Sequence, residues 1–170
     1  MEFVYTFAGI LGTIILGYCY LDYYIFNWSK RDSKNKKNSE ISFGQSLDLC
    51  NIPVITVENP ILGKLNLLID TGSSSSIINK RIIERHVGNL QPQGTVIGSG
   101  GTTNKYGATN LDITCQKQKL DIKFEVVDMS NSFDLIKSEH GVTIHGILGS
   151  IDMARYNYVI DFESCSFYIK

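Results

Sequence analysis

One short stretch of this sequence combines residue types that can support acid–base chemistry. The apolar segment 67–69 leads directly into Asp70-Thr71-Gly72-Ser73. A strand that ends in such a loop places a carboxylate at the edge of a hydrophobic core, where it can act as a general acid or base. Gly72 can adopt backbone angles that are closed to other residues, and the hydroxyl of Thr71 can pin the loop.

Two downstream segments are candidates for completing a site around Asp70. Ile147, Leu148 and Gly149 precede a short predicted helix, and two bulky apolar residues followed by glycine can pack beneath a loop that carries an aspartate. Residues 94–107 contain five glycines among β-forming residues. This composition predicts a hairpin that is able to close over a cleft.

The order of these three features resembles that of retropepsin-like aspartic proteases of the single-domain, bacterial type. Asp-Thr-Gly follows an apolar strand, a glycine-rich flap comes next, and Ile-Leu-Gly precedes a helix. The resemblance covers about residues 45–170. It implies a mostly β, closed fold with one or two short helices. It also implies one catalytic aspartate per chain, so that a homodimer completes the site of an aspartic endopeptidase.

The resemblance assigns roles to the loop residues by position. Asp70 would be the catalytic aspartate, and Thr71 would form hydrogen bonds across the dimer axis. Gly72 would let the substrate backbone approach, and Ser73 would take the fourth position of the motif. Two Asp70 carboxylates held close together cannot both ionise easily, so they would share a proton and activate a water between them.

Further roles follow from the resemblance in the same way. Ile147, Leu148 and Gly149 would support the active loop. Ser150 stands where the family usually has arginine or aspartate, and the segment 161–170 differs from a short retroviral terminus, so the dimer contacts are expected to differ. The flap is assigned by location alone, to Ile97, Gly98, Ser99, Gly100 and Gly101.

The segments that must position these residues are predicted to be mainly strands. Alternation of buried and exposed positions is clearest in residues 111–115 and 122–126. Helices are predicted at 79–86 and 150–156, the second with Ser150 as its cap. The predicted strands are 52–57, 64–69, 108–115, 120–127, 158–162 and 166–169.

The N-terminal residues are predicted to form a single transmembrane anchor. Nineteen uncharged residues, 3–21, make about 28 Å of helix at roughly 1.5 Å per residue, which matches a bilayer core of about 30 Å. Tyrosine, phenylalanine and tryptophan between residues 23 and 28 are typical of the interface with lipid. A cleaved signal peptide is disfavoured because it would have basic residues before its apolar run and small residues at a cleavage site after it. Here Glu2 precedes the apolar run and bulky aromatic residues follow it.

The predicted organisation is therefore an anchor at 1–28 that contacts lipid through residues 3–28, a polar linker at 29–40 and a protease domain at 41–170. Five lysines and arginines follow the span and none precedes it, which by the positive-inside rule places the C-terminal domain in the cytoplasm. An anchored periplasmic domain is the opposite topology.

Composition excludes several other classes. The net charge is −1, which does not favour a nucleic-acid partner. Three histidines without metal-binding spacing predict no metal site, and the proposed chemistry requires no cofactor. The glycines at 98–101 lack the ending of a phosphate-binding loop, and no Gly-x-Ser-x-Gly elbow occurs.

The expected partners are a second copy of the chain and a peptide or protein substrate bound in an extended conformation. Two alternatives stay open at this point. Asp70-Thr71-Gly72 is also compatible with a plain turn. The domain is also compatible with a catalytically silent, pepsin-like binding or scaffold module at the membrane.

Overall fold

The structure is a computed structural model, and it describes residues 42–98 and 101–170. Residue contacts divide the chain after Ser39, so all described residues belong to the unit Glu40–Lys170. The predicted anchor at 1–28, the linker at 29–40, Ser99 and Gly100 lie outside the described residues. Within the described ranges, no helix is both long and apolar enough to cross a membrane.

Nine strands and four short helices make up the described part of the chain. The helices are α1 (Phe43–Cys50), α2 (Lys80–Val87), α3 (Ser130–His140) and α4 (Ser150–Arg155). The strands are β1 (Val54–Asn59), β2 (Gly63–Asp70), β3 (Ile77–Asn79), β4 (Gly94–Gly98), β5 (Gly101–Cys115), β6 (Gln118–Val127), β7 (Gly146–Gly149), β8 (Tyr158–Asp161) and β9 (Ser166–Ile169).

Seven strands form one sheet in the order β1-β2-β7-β3-β6-β5-β4, and a further pairing between β1 and β5 closes it into a barrel. Asn59 reinforces this closure, because its side chain donates to the carbonyl of Asp112 and accepts from the N–H groups of Ile61 and Leu62. Strands β8 and β9 form a separate antiparallel pair. The predicted mostly β, closed fold is confirmed.

Strand β7 lies between two strands that precede it by far in the sequence. It pairs in parallel with β2 and antiparallel with β3. The C-terminal ends of β2 and β7 are therefore side by side, and Asp70 is the last residue of β2. This crossover brings the two motifs of the candidate site together.

The core follows the predicted alternation. Ile122, Phe124 and Val126 of β6 are buried and pack with the inward residues of β5 and β2. A second apolar cluster lies under α1 and α3, where Phe133 packs with Val142 and Ile147. Burial of these side chains is the main favourable contribution to the stability of the fold.

The described residues form four helices, which is more than the one or two short helices predicted from the sequence. Helices α1 and α3 were missed, although both have apolar residues at helical spacing. In α1 these are Phe43, Leu47 and Cys50, and in α3 they include Phe133 and Ile136.

Element ends also differ from the predictions for identifiable reasons. The first strand begins at Val54 and not at residue 52, because Pro53 has no N–H to donate to a neighbouring strand. Asn79 is the cap of α2 and not its first residue, since its side chain accepts from the N–H of Arg81. Gly149 caps α4 without a side-chain bond, so the prediction of Ser150 as the cap was wrong.

Candidate active site

Asp70 stands at the open end of β2 in a tight turn. The N–H of Gly72 donates to its Oδ1 at 2.9 Å, and the N–H of Ser73 donates to its carbonyl at 3.2 Å. The carboxylate is half-buried, whereas Thr71 and Gly72 are exposed. No lysine or arginine in the described ranges forms an ion pair with Asp70. Its carboxylate is thus oriented by the backbone and accessible from outside.

The glycines of β7 are required by close packing against the loop. A Cβ at Gly149 would come within 2.5 Å of the backbone carbonyl of Ser75, and a Cβ at Gly146 within 2.3 Å of the carbonyl oxygen of Ile77. Real Cβ atoms do not approach backbone this closely. The loop that follows Asp70 therefore wraps directly over the end of β7.

The same loop caps the helix that follows β7. The carbonyl of Ser73 accepts from both the N–H and the hydroxyl of Ser150, at 2.8 and 3.0 Å. The carbonyl of Ser74 accepts from the N–H of Ile151 at 3.3 Å. The first N–H groups of a helix have no partner within it, so these remote carbonyls satisfy them. Loop and helix thereby hold each other in place.

A buried polar pair lies beneath this junction. Ser76 is 0% exposed and Asp152 is 7% exposed. The Ser76 hydroxyl donates to Oδ2 of Asp152 at 2.5 Å and accepts from the N–H of Gly149 at 3.0 Å. From its position in the sequence, Asp152 is interpreted only as a negative charge at a helix start, and Ser76 has no individual role. The available signal was a serine placed directly before the apolar pair 77–78.

His145 is the residue directly before β7, and it connects the start of β7 to β2 and β3. The ring Nδ1 of His145 accepts from the backbone N–H of Asn66 at 2.7 Å. The backbone N–H of His145 donates to the backbone carbonyl of Asn66 at 2.8 Å. Its carbonyl accepts from the N–H of Asn79. Because Nδ1 must be an acceptor, the ring is neutral and carries its proton on Nε2.

The environment of His145 favours this neutral form. Burial lowers its pKa, and the positive charges of Arg85 and Lys137 lower the pKa further. The imidazole is therefore suited to a structural role at neutral pH, where it links the strand that carries Asp70 to the strand that carries Gly149.

Of the predicted flap residues, Ile97 and Gly98 lie on β4 and Gly101 begins β5, whereas Ser99 and Gly100 are outside the described residues. Gly98 pairs with Gly101 at the far end of the hairpin of β4 and β5, and Ile97 is 87% exposed there. The register of β5 against β6 shifts between Lys105 and Ala108, so the ladder is irregular at the base of this hairpin. An exposed apolar side chain at the end of such a hairpin is available to contact a ligand.

The base of this hairpin is anchored next to the loop of Asp70. Lys105 forms an ion pair with Glu125 at 2.7 Å, and the N–H of Glu125 donates to the carbonyl of Ser76 at 2.9 Å. The ammonium of Lys80 lies 4.1 Å from the centre of the Tyr106 ring. The hairpin thus has a fixed base beside the loop.

The structure brings together seven of the predicted site residues. In register, Leu68 pairs with Ile147, Ile69 with Leu148, and Asp70 with Gly149. Thr71, Gly72 and Ser73 complete the turn directly after Asp70. In the described ranges, no cluster of three or more histidine, cysteine, aspartate or glutamate residues is arranged to hold a metal ion.

Comparison with known proteins agrees with this geometry. Residues 55–150 match the sequence pattern of a family described as aspartyl protease. No curated protein matches the chain. Among solved structures, the retroviral protease-like domain of Ddi1 from Leishmania major has a TM-score of 0.50 and 16% identity, covering 70% of this chain and 88% of that one.

Two further solved structures are similar at a lower score. EIAV protease, complexed with the inhibitor HBY-793, has a TM-score of 0.45 and 20% identity, covering 61% of this chain and 86% of its own. A retropepsin-like aspartic protease from Rickettsia conorii has a TM-score of 0.45 and 16% identity, covering 64% of this chain and 82% of its own.

Proposed function

This chain belongs to the aspartyl protease family and is an aspartic endopeptidase, and we propose that two copies of it build one active site between them. The observation that carries the proposal is that Asp-Thr-Gly occurs once in the sequence, at Asp70. Hydrolysis by this chemistry requires two carboxylates that share a proton. One chain contributes one of them, so the second comes from the partner.

The proposed reaction follows from the proximity of two like charges. One Asp70 of the pair is ionised and takes a proton from a water, while the other is protonated and donates a hydrogen bond to the peptide carbonyl. Attack of the water gives a tetrahedral intermediate. Its collapse breaks the C–N bond, and the leaving nitrogen receives a proton from the dyad.

The surface around Asp70 supports pairing of two copies. Thr71, Gly72 and Ser74 are exposed, so the turn that carries the carboxylate is at the surface of one chain and not at the bottom of a closed cleft. Exposure of this turn in the described part of the chain supports contact between it and a second copy.

We infer that the substrate is a peptide segment in an extended conformation. The hairpin of β4 and β5 offers exposed backbone near its end, and its base is fixed beside the loop of Asp70. Extended peptides bind to such edges by strand-like hydrogen bonds, and side-chain pockets add selectivity.

The test of this function is the substitution Asp70→Asn in the full-length chain in detergent micelles. Asparagine retains an oxygen that can accept from the N–H of Gly72, so the turn should survive while the shared proton is lost. Cleavage of denatured, fluorescein-labelled casein should be abolished, with an unchanged thermal transition. The matched control is Asp48→Asn, an exposed aspartate on α1, which should cleave like wild type. Retained cleavage by Asp70→Asn would refute the proposed function.

We also propose that residues 3–28 anchor the enzyme in a membrane as a single span, with the protease domain in the cytoplasm. The support is the uncharged run of nineteen residues at 3–21 and the basic residues after it. A reporter active only in the cytoplasm, fused after Lys170, should be active. The protein should stay in the membrane fraction after a carbonate wash, and release by the wash would count against the anchor.

A further inference from the structure

We propose that Ser76 and Asp152 are positioning residues that hold the loop of Asp70 in its catalytic geometry. The inference depends on Asp70 being the catalytic aspartate, as proposed above. Neither side chain faces the surface, since Ser76 is fully buried and Asp152 nearly so. They act through the loop and not on the substrate.

The hydrogen bonds of Ser76 use its hydroxyl as both donor and acceptor. Its single proton goes to Oδ2 of Asp152 at 2.5 Å, and its oxygen accepts from the N–H of Gly149 at 3.0 Å. A hydroxyl group has one proton to donate. Because Asp152 accepts the proton of Ser76, the Ser76 oxygen keeps a lone pair that accepts from the N–H of Gly149. The short bond to a carboxylate is of the stronger, charge-assisted kind.

These bonds close a ring between the loop and helix α4. On one side, the carbonyls of Ser73 and Ser74 accept from the first N–H groups of α4. On the other side, Asp152 on the first turn of α4 accepts from Ser76 at the end of the loop. Loop residues 73–76 are therefore fastened at both ends to the same short helix.

This ring of hydrogen bonds constrains the position of Asp70. Gly149, which donates to Ser76, is the register partner of Asp70 across β2 and β7. Movement of Ser76 would release Gly149 and change the distance between the loop and the end of β7. Reacting groups that are misplaced by about 1 Å can lose roughly a hundredfold in rate.

The burial of Asp152 indicates a role beyond favourable charge at a helix start. A carboxylate in the first turn of a helix already stabilises the helix when it is exposed to solvent, so this role does not require burial. Burying the carboxylate costs free energy unless it is hydrogen-bonded, and in the described ranges no lysine or arginine forms an ion pair with it. The bond from Ser76 is the compensation that the structure provides.

The experiment compares Ser76→Ala with Ser138→Ala in the full-length chain in detergent micelles. Ser138 is an exposed serine on α3 whose hydroxyl donates to the carbonyl of Leu135 in the same helix. With labelled denatured casein as substrate, Ser76→Ala should lower kcat by about tenfold or more and leave KM within about twofold, because the chemical step and not substrate binding is affected. Ser138→Ala should match wild type in both constants.

A second variant separates positioning from stability. Ser76→Ala combined with Asp152→Leu replaces both buried partners by apolar groups, which can restore stability when a single substitution leaves a buried acceptor unmet. We expect the thermal transition to recover toward wild type while kcat stays low, because the bond to Gly149 is still absent. The double variant also decides the question if Ser76→Ala does not fold.

The outcomes are distinct from those for the function itself. If Asp70→Asn is inactive but Ser76→Ala or the double variant has wild-type kcat, only the positioning role is overturned. If kcat of the folded double variant recovers together with its thermal transition, the pair is structural and the proposal is also overturned.

Discussion

Asp70 and Gly149 are register partners at the ends of the parallel strands β2 and β7, although 79 positions separate them in the sequence. The carboxylate and the glycine that supports its loop thus occupy the same level of the barrel. The loop after Asp70 crosses over Gly149 so closely that a side chain has no space there. Four predictions follow from this arrangement and from the features around it.

Gly149→Ala should both destabilise the protein and reduce its activity. The added methyl would lie 2.5 Å from the carbonyl carbon and oxygen of Ser75, so the loop must move. Overpacking of this kind costs about 1–3 kcal/mol. The measurements are the denaturant midpoint and the kcat on labelled casein. For stability, Gly98→Ala is the matched control, because a Cβ at Gly98 meets nothing within 4 Å. Equal denaturant midpoints for the two variants would contradict the steric argument.

His145 should make the protein less stable as the pH falls below neutral. In the unfolded chain this histidine takes up a proton near its ordinary pKa of 6.5, whereas in the folded chain burial lowers its pKa. The unfolded state therefore binds more protons below pH 6.5. The stability present above that pH is lost as the pH falls toward the folded-state pKa.

The variant His145→Asn tests this linkage. The Oδ1 of asparagine can accept from the N–H of Asn66 but does not titrate in this range. The decrease in melting temperature between pH 7 and pH 5 should therefore be smaller in His145→Asn than in wild type. His140→Asn, at an exposed histidine on α3, should keep the wild-type decrease. If His145→Asn loses stability as steeply as wild type, another group is responsible.

Asp70→Asn chains should inhibit wild-type chains when the two are allowed to exchange partners. With equal amounts and random pairing, about half of the wild-type chains are in mixed dimers, so activity per wild-type chain should fall to about half. The measurement is casein cleavage after incubation in shared micelles. Addition of Asp48→Asn chains, which keep Asp70, should cause no such fall. An unchanged activity per wild-type chain on mixing with Asp70→Asn would indicate that each chain acts alone.

Ile97→Asn should weaken substrate binding without affecting stability. The side chain is 87% exposed on the hairpin of β4 and β5, so the folded domain gains little from it. If the hairpin covers the substrate, loss of this apolar contact should raise KM by about tenfold, in line with burial of one side chain. Ile61→Asn, at a second exposed isoleucine in the turn between β1 and β2, should leave KM unchanged. The same KM for both variants would argue against the flap assignment.

Much of the fold could be predicted because its signals are local. Period-2 alternation in β5 and β6 corresponds to the buried residues Ile113, Ile122 and Phe124. Residues 94–98 and 101–105 of the glycine-rich segment pair as the two strands of the hairpin that its composition predicted. Helices α1 and α3 were missed because their apolar residues are stabilised by packing on the barrel more than by helix propensity, and that packing is not visible in the sequence.

The candidate site was predictable only in its parts. Asp70, Thr71 and Gly72 are recognisable from their types and from the apolar strand before them. The pairing of β7 between β2 and β3 was not predictable, because a strand pattern reports which face is buried and not which strand lies beside it.

The sequence by itself determined the aspartate at the end of an apolar strand, the hairpin, and the glycines that mark close approach. These depend on residue type and on neighbours a few positions away. The tertiary structure alone decided that one serine of four in succession is the buried one, and that it bonds to Asp152, which lies 76 residues further along the chain. The four serines have the same intrinsic preferences. Only packing against the end of β7 and the first turn of α4 excludes water from Ser76 and brings its hydroxyl to a remote partner.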